Sequence, residues 1–275
     1  MKAAFPFAFY ALQAFLLAAS PVDLLIVAPH PDDEVIGCSG VMMQALEEGK
    51  KVAVVVMTNG EGFPKGTSAI TGKAKEDLTP DDFFSLARLR QEQSYGGIHL
   101  VGLCRKDIQF LSYPDGGLAK IYQAEKCEVY TNRHTGKSQT YSLLGKDYHT
   151  QKHGKPAPYT REYILSDLEG ILSEREPSEV YVTTHFDQHS DHRAAFWYVR
   201  DAAKNVGFKG KLYTYLVHGH RIPPGKPRRV VLTPSQLETK KAAIGVHKIP
   251  MVHDHLVEAH AKPEEAFWLA PKFQE

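Results

Sequence analysis

The chain has 275 residues, 43% of them hydrophobic and 24% charged, with a formal net charge of +1; this is a globular composition with enough apolar side chains for one large core. A balance of 33 basic against 32 acidic residues lacks the basic excess that marks nucleic-acid binders, so no nucleic-acid partner is expected. The three cysteines, Cys38, Cys104 and Cys127, are odd in number and have no CxxC spacing, which indicates neither a disulfide framework nor a cysteine zinc site.

Residues 1–20 hold one lysine, an apolar run and then Ala18, Ala19 and Ser20, the order of a secretory signal, and the run is short against the roughly 20 residues of a membrane span. A secreted or periplasmic location is the expectation, with a membrane-associated or buried N-terminal helix as the alternative. Residues 22–28 are apolar except Asp23, the pattern of a strand buried on both faces of a parallel sheet. That strand runs into PHPDDE. Val35, Ile36, Val41, Met42, Ala45 and Leu46 then recur at helical spacing as far as residue 48, and Gly49 is a natural stop. A second buried strand at 52–57 leads into TNGEG. Thr79 with Pro80 predicts a helix from 79 to 96, and a short strand at 108–111 ends in YPDGG.

From 118 to 159 the periodicity fades. CEVYTN and SQTYSL flank RHTGK, and five basic residues stand against Asp147 between 132 and 158. This reads as an inserted surface hairpin in water, with a lid or anion-gripping loop as the other reading. Thr160 predicts a helix to 176, and a strand at 180–184 delivers THFDQHSDH. A helix at 191–204, a strand at 212–217 and a late helix opened by the capping box Thr233-Pro234-Ser235-Gln236 follow. Without repeat or linker, the alternation predicts one α/β domain over 21–275. Its sheet is Rossmann-like and mostly parallel, with helices on both faces.

Adjacent carboxylates repel and resist burial, so His30, Asp32, Asp33 and Glu34 at the end of an apolar strand call for a cation or a catalytic task. Parallel strands aim their carboxyl ends at a shared crevice, so the loops after 28 and 184 can converge. Catalytic zinc commonly has three nitrogen or oxygen protein ligands and one position open to water, and His30, Asp33 and His192 would make such a set.

APHPDDE followed much later by HSDH resembles the PIG-L/LmbE-like family of zinc-dependent N-acetylglucosaminide deacetylases. The likeness continues through Thr58-Asn59-Gly60-Glu61, the helix with Arg90 and Glu92, Tyr113-Pro114-Asp115-Gly116, and Lys240 with His247. The resemblance implies that His30, Asp33 and His192 bind Zn2+, with Fe2+ as an alternative. It implies Asp32 as the general base and His189 as the residue that stabilises or protonates the reacting amide. Asp191 or Asp187 is expected to keep His189 cationic. Arg90, Asp115 and Glu61 become candidate substrate contacts, with Arg88 competing for the arginine position, and Glu34 is an orienting group or a plain helix-start residue. The 118–159 insertion exceeds the family's compact core.

The expectation is a metal-dependent hydrolase that removes acetyl from an N-acetylglucosamine-type sugar or glycoconjugate, with water activated at the metal as nucleophile. The rivals are a non-catalytic carbohydrate-binding protein on the same fold and an amidohydrolase acting on an acylated peptide or lipid. A free carboxylate beside a three-ligand site favours catalysis, because structural zinc fills four positions.

Overall fold

The computed structural model describes residues 20–219, 221–249, 251–253 and 255–271; the expected leader at 1–20 lies outside these, apart from Ser20. In chain order the described elements are β1 (Leu24–Ala28), α1 (Asp33–Glu47), β2 (Val52–Thr58), α2 (Pro64–Thr71), α3 (Pro80–Leu100), β3 (Ile108–Tyr113), α4 (Leu118–Gln123) and α5 (Tyr148–His153). They continue as α6 (Arg161–Arg175), β4 (Glu179–Thr183), α7 (Ser190–Asn205), β5 (Lys211–Tyr215), β6 (Arg228–Val231), α8 (Pro234–Val246), α9 (Leu256–His260) and β7 (Glu264–Leu269). None of these helices is long and apolar enough to cross a membrane.

The strands form one sheet in the order β3-β2-β1-β4-β5-β7-β6. The first five are parallel, and β7 runs antiparallel to both β5 and β6. Every residue of β1 and β2 is buried, as continuous apolar runs between two helix layers require. Alternation along β1 divides the core. Leu24, Ile26 and Ala28 pack with residues of α1, α3 and α8, whereas Leu25 and Val27 pack with α6 and α7 on the other face. The expected α/β fold with a mostly parallel sheet is therefore present, and the five predicted strands are its parallel body.

The insertion holds the expected turn and adds buried anchors that a hairpin in water would lack. Asn132 to Gly136 does close a turn, through Gly136 N to Asn132 O at 2.8 Å. The two arms meet through Asn132 N to Lys137 O and Thr131 Oγ1 to Ser138 Oγ, each at 2.8 Å, and both also bond to residues 157–159: Tyr130 N to Tyr159 O, Tyr159 N to Ser138 O and Thr140 N to Ala157 O. Ala157 and Tyr159 are fully buried in the core behind β3, and Asn132, Thr140 and Asp147 are buried with them. The segment is thus a surface turn with exposed outer residues, Arg133 and Lys137 among them, whose base is packed into the core. Asp147 is satisfied within the segment, accepting from Thr140 Oγ1, Ser142 Oγ and Thr150 N.

Strand order reverses between β1 and β4, since β1 continues to β2 on one side while β4 continues to β5 on the other. A crevice forms at the carboxyl end of such a switch point. The loops that enter it are 29–32 after β1 and 184–189 after β4.

Candidate metal centre

Both loops deliver their side chains to one point. His30 Nδ1 lies 3.1 Å from His192 Nε2 and 3.2 Å from Asp33 Oδ2, and His192 Nε2 is 3.1 Å from the same oxygen. The three residues are 162 positions apart at the extremes and all are buried. Two ring nitrogens facing each other with a carboxylate oxygen can share protons only partly, whereas a cation at the centre satisfies all three. Zinc with bonds of about 2.0–2.1 Å in tetrahedral geometry spaces its donors roughly 3.3 Å apart, which this triangle fits.

Each imidazole is steadied from behind. His192 Nδ1 is 3.2 Å from Asp187 Oδ2, and His30 Nε2 is 3.2 Å from Asp115 Oδ1 and 3.5 Å from Asp191 Oδ2. Carboxylates on the far nitrogen fix the ring orientation and raise its basicity. Burial opposes charge on His192, yet Asp33 and Asp187 push its pKa up to about 9. Against the same burial the surrounding carboxylates, Asp115 foremost, hold His30 well above the usual histidine value, and the two imidazoles hold Asp33 well below the usual carboxylate range.

Asp32 stands beside this triangle with φ 136° and ψ −30°. Its carboxylate accepts from Arg90 Nη2 at 2.9 Å, and its backbone N–H donates to Glu34 Oε2 at 2.9 Å. Arg90 also donates to Pro31 O and Gly60 O. Gly60, at φ +65°, makes that approach possible, since a Cβ there would fall 2.3 Å from Arg90 Nη1. Between the two candidate arginines the fold selects Arg90, which is buried, and leaves Arg88 exposed. Its contacts run to Asp32 and backbone carbonyls.

Glu34 is fully buried, accepts Ser94 Oγ at 2.7 Å on its other oxygen, and burial raises its pKa to about 7. His247, near the end of the family-like pattern, lies behind it, 4.0 Å from Glu34 Oε1, with its pKa lowered by burial to about 4.

Three placements depart from the sequence expectation. Glu61 does not reach a substrate: it is fully buried, and its Oε1 accepts Asp115 N at 3.1 Å and Asn132 Nδ2 at 3.0 Å. Burial, with the Asp115 charge behind it, raises its pKa to about 8, so it braces the loop after β3 as a neutral acid. Asp191 points away from the His189 ring, with Oδ2 accepting Gly116 N at 2.7 Å near His30. Only its backbone N–H meets His189, at Nδ1 over 3.2 Å.

His189 in turn is not held cationic, because the side chain of Asp187 serves His192 Nδ1 and the N–H groups of His189, Val217 and His218. Burial and the neighbouring His30 and His192 lower its pKa to about 4. An Nδ1 that accepts an N–H leaves the ring proton on Nε2. The ring itself stands edge-on to His30 at 4.7 Å between centroids.

Asp115 stays at the rim, with Oδ2 accepting Gly62 N at 2.8 Å. Sequence reasoning passed over His218, which forms a possible donor group with Asp33 and His192. The signal for it is its position just past the carboxyl end of β5, where this fold collects function.

Residues 25–203 match the family model described as PIG-L, GlcNAc-PI de-N-acetylase. Among solved structures, N,N'-diacetylchitobiose deacetylase from Pyrococcus horikoshii is 19% identical, with 92% of this chain and 84% of that chain covered and a TM-score of 0.55. The 4-carboxy-2-hydroxymuconate hydratase GalB from Pseudomonas putida is 16% identical over 93% and 98%, with a TM-score of 0.57. A zinc-inhibited form of a teicoplanin deacetylase is 14% identical over 91% and 99%, with a TM-score of 0.56. A comparison with curated proteins returns no match.

Proposed function

The chain belongs to the PIG-L family of de-N-acetylases, and from that premise we propose that it hydrolyses the acetamide of an N-acetylglucosamine-type sugar or conjugate, with Zn2+ as its metal. One observation carries the reading: two nitrogens and one oxygen from segments 162 residues apart lie within 3.2 Å of one another, with a separate carboxylate, Asp32, alongside. The fold alone does not choose the reaction, since a hydratase shares it; the donor set and its neighbours are what support hydrolysis here.

His30, Asp33 and His192 would hold the metal. When bound, zinc supplies a Lewis acid that lowers the pKa of water from about 15.7 to near 7. Asp32 takes the proton from the attacking water and returns it to the amine nitrogen as the C–N bond breaks, its carboxylate fixed by Arg90 and its backbone by Glu34. His189 presents its Nε2–H to the carbonyl oxygen as negative charge develops there, a role that suits a neutral ring. Asp191 acts through His30 and the Gly116 backbone. Asp115 offers a rim carboxylate to a sugar hydroxyl. An N2O donor set admits Fe2+ as well.

The test is acetate release from a panel of N-acetylglucosamine conjugates, acylated peptides and acylated lipids, before and after chelation. Release from the sugars alone, lost on chelation and restored by one equivalent of zinc, is the expected result. Release confined to peptides or lipids, or release indifferent to chelator, would overturn it.

A further inference from the structure

The insertion carries a second cluster of donor atoms, which shares no residue with the triangle of His30, Asp33 and His192. His149 and His153 stand four positions apart on α5, so their rings lie on one face of that turn, with centroids 4.4 Å apart. Asp167 of α6 faces them, and its Oδ1 is 2.7 Å from His149 Nδ1. One donor atom from each of the three residues lies within 4.8 Å of the other two.

The surroundings hold this cluster in place. α5 starts at Asp147, whose side chain accepts Thr150 N, and ends at Gly154 with φ +76°, so both histidines are carried by one short capped helix. His149 and Asp167 are buried, and Asp167 Oδ2 accepts the Tyr113 hydroxyl at 2.7 Å from the end of β3. A phenol on the second carboxylate oxygen aims the first at the imidazole, as outer hydrogen bonds orient a metal ligand. Tyr163, one turn before Asp167 on α6, stands edge-on to the His149 ring at 5.3 Å between centroids. Burial keeps the Asp167 pKa above the usual carboxylate value in spite of its bonds to His149 and Tyr113, so further positive charge beside it is favoured. The competing cation on α5, Lys152, is paired with Glu174. His153 is exposed and opens the remaining positions around the cluster to water.

The donor types select the ion. Two imidazoles and one carboxylate suit zinc, nickel or copper, whereas calcium and magnesium take oxygen ligands and more of them. Tetrahedral zinc spaces its donors roughly 3.3 Å apart, so His149 Nδ1 and Asp167 Oδ1 part from their 2.7 Å hydrogen bond and the exposed His153 ring swings inward. The proton held between Nδ1 and Oδ1 passes to His149 Nε2 or to water as the cation takes its place. This rearrangement makes the cluster a weaker site than the preformed triangle, one that empties on dialysis.

We propose that His149, His153 and Asp167 form a second, exchangeable site for a zinc-type divalent cation, which clasps the insertion to α6. No ligand is shared with the first centre, so the proposal does not depend on the deacetylase reading.

Zinc alone is the probe. Protein that retains its catalytic metal after dialysis is titrated with zinc by calorimetry, and hydrogen exchange of the amides of residues 148–153 is followed with and without the added ion. The wild type is expected to take up one further equivalent and to slow exchange across α5. His99→Ala, which removes an exposed histidine at the end of α3, should behave like the wild type. His153→Ala removes only a surface ring and should weaken the added equivalent by at least about tenfold, with no slowing of exchange. No further equivalent in the wild type, an equivalent that His153→Ala binds as tightly, or exchange that zinc leaves unchanged overturns the proposal. Asp33→Ala separates the two centres. An equivalent that persists there and is removed by adding His153→Ala supports this site whatever becomes of the first, whereas loss of all zinc binding in Asp33→Ala alone overturns it and leaves the first centre standing.

Discussion

At the scale of single residues, the feature that distinguishes a catalytic from a structural reading is the backbone of Asp32. A φ of 136° is strained for any L side chain and persists only when its surroundings impose it. Here Arg90 grips the carboxylate and Glu34 the N–H, so two buried groups hold one partly exposed acid in place. If Arg90 positions the base, Arg90→Ala lowers kcat by about 10–100-fold with little change in KM, and Arg90→Lys recovers part of the loss. A rise in KM at constant kcat would make Arg90 a sugar ligand instead.

Glu61 gives a pH prediction. Its folded pKa is raised to about 8 from an ordinary 4.5, so between those values the folded state binds the extra proton. Stability from this group is complete below about 4.5 and is lost as pH rises through about 8. Glu61→Gln should therefore flatten the fall in denaturation midpoint between pH 5 and pH 8. An unchanged slope would place the titration elsewhere.

At the scale of elements, β1 and β2 were legible because each is buried on both faces and reads as an apolar run. The helix starts at Thr79, Thr160 and Thr233 were legible because each side chain caps its own backbone or closes a capping box. The antiparallel edge was not. In β6, Arg228-Arg229-Val230-Val231, only Val230 is buried, and four residues with one inward side chain leave no periodic signal. The anchors of the insertion were illegible for a different reason: polar residues read as solvated, whereas Thr140 is buried donating to Asp147 and accepting Ala157 N, and Asn132 is buried donating to Glu61. Of the candidate site, the two ligand loops could be read, because strand ends in this fold predict convergence. The direction of Asp191 and Glu61 could not, since it depends on which loop packs over them.

One element contact carries a stability prediction. Lys240 of α8 meets Glu265 of β7 at 2.6 Å, both buried, and Glu265 also accepts Gly40 N and Val41 N of α1. Lys240→Ala strands that carboxylate and should cost about 3–5 kcal/mol in denaturant unfolding. Replacing both partners with Met and Gln should cost less, and equal losses would mean that the stranded carboxylate is not what destabilises Lys240→Ala.

At the scale of the whole molecule, the sheet order explains why a motif near residue 30 and another near 190 act together. β1 and β4 are neighbours in register, Leu24 beside Glu179 through Val27 beside Val182, so their following loops leave the sheet at the same height. Helix layers on both faces bury that sheet, and the insertion closes one flank of the crevice. The neighbouring aspartates then divide the work, Asp33 turning inward to the imidazoles and Asp32 remaining outside. The most direct check is metal content and acetate release measured together on purified Asp32→Ala and Asp33→Ala proteins. The account predicts that Asp32→Ala keeps one equivalent of metal while turnover falls by about 10²–10⁴-fold, and that Asp33→Ala loses the metal itself. Metal lost equally from both variants, or acetate released by Asp32→Ala at the wild-type rate, would contradict it.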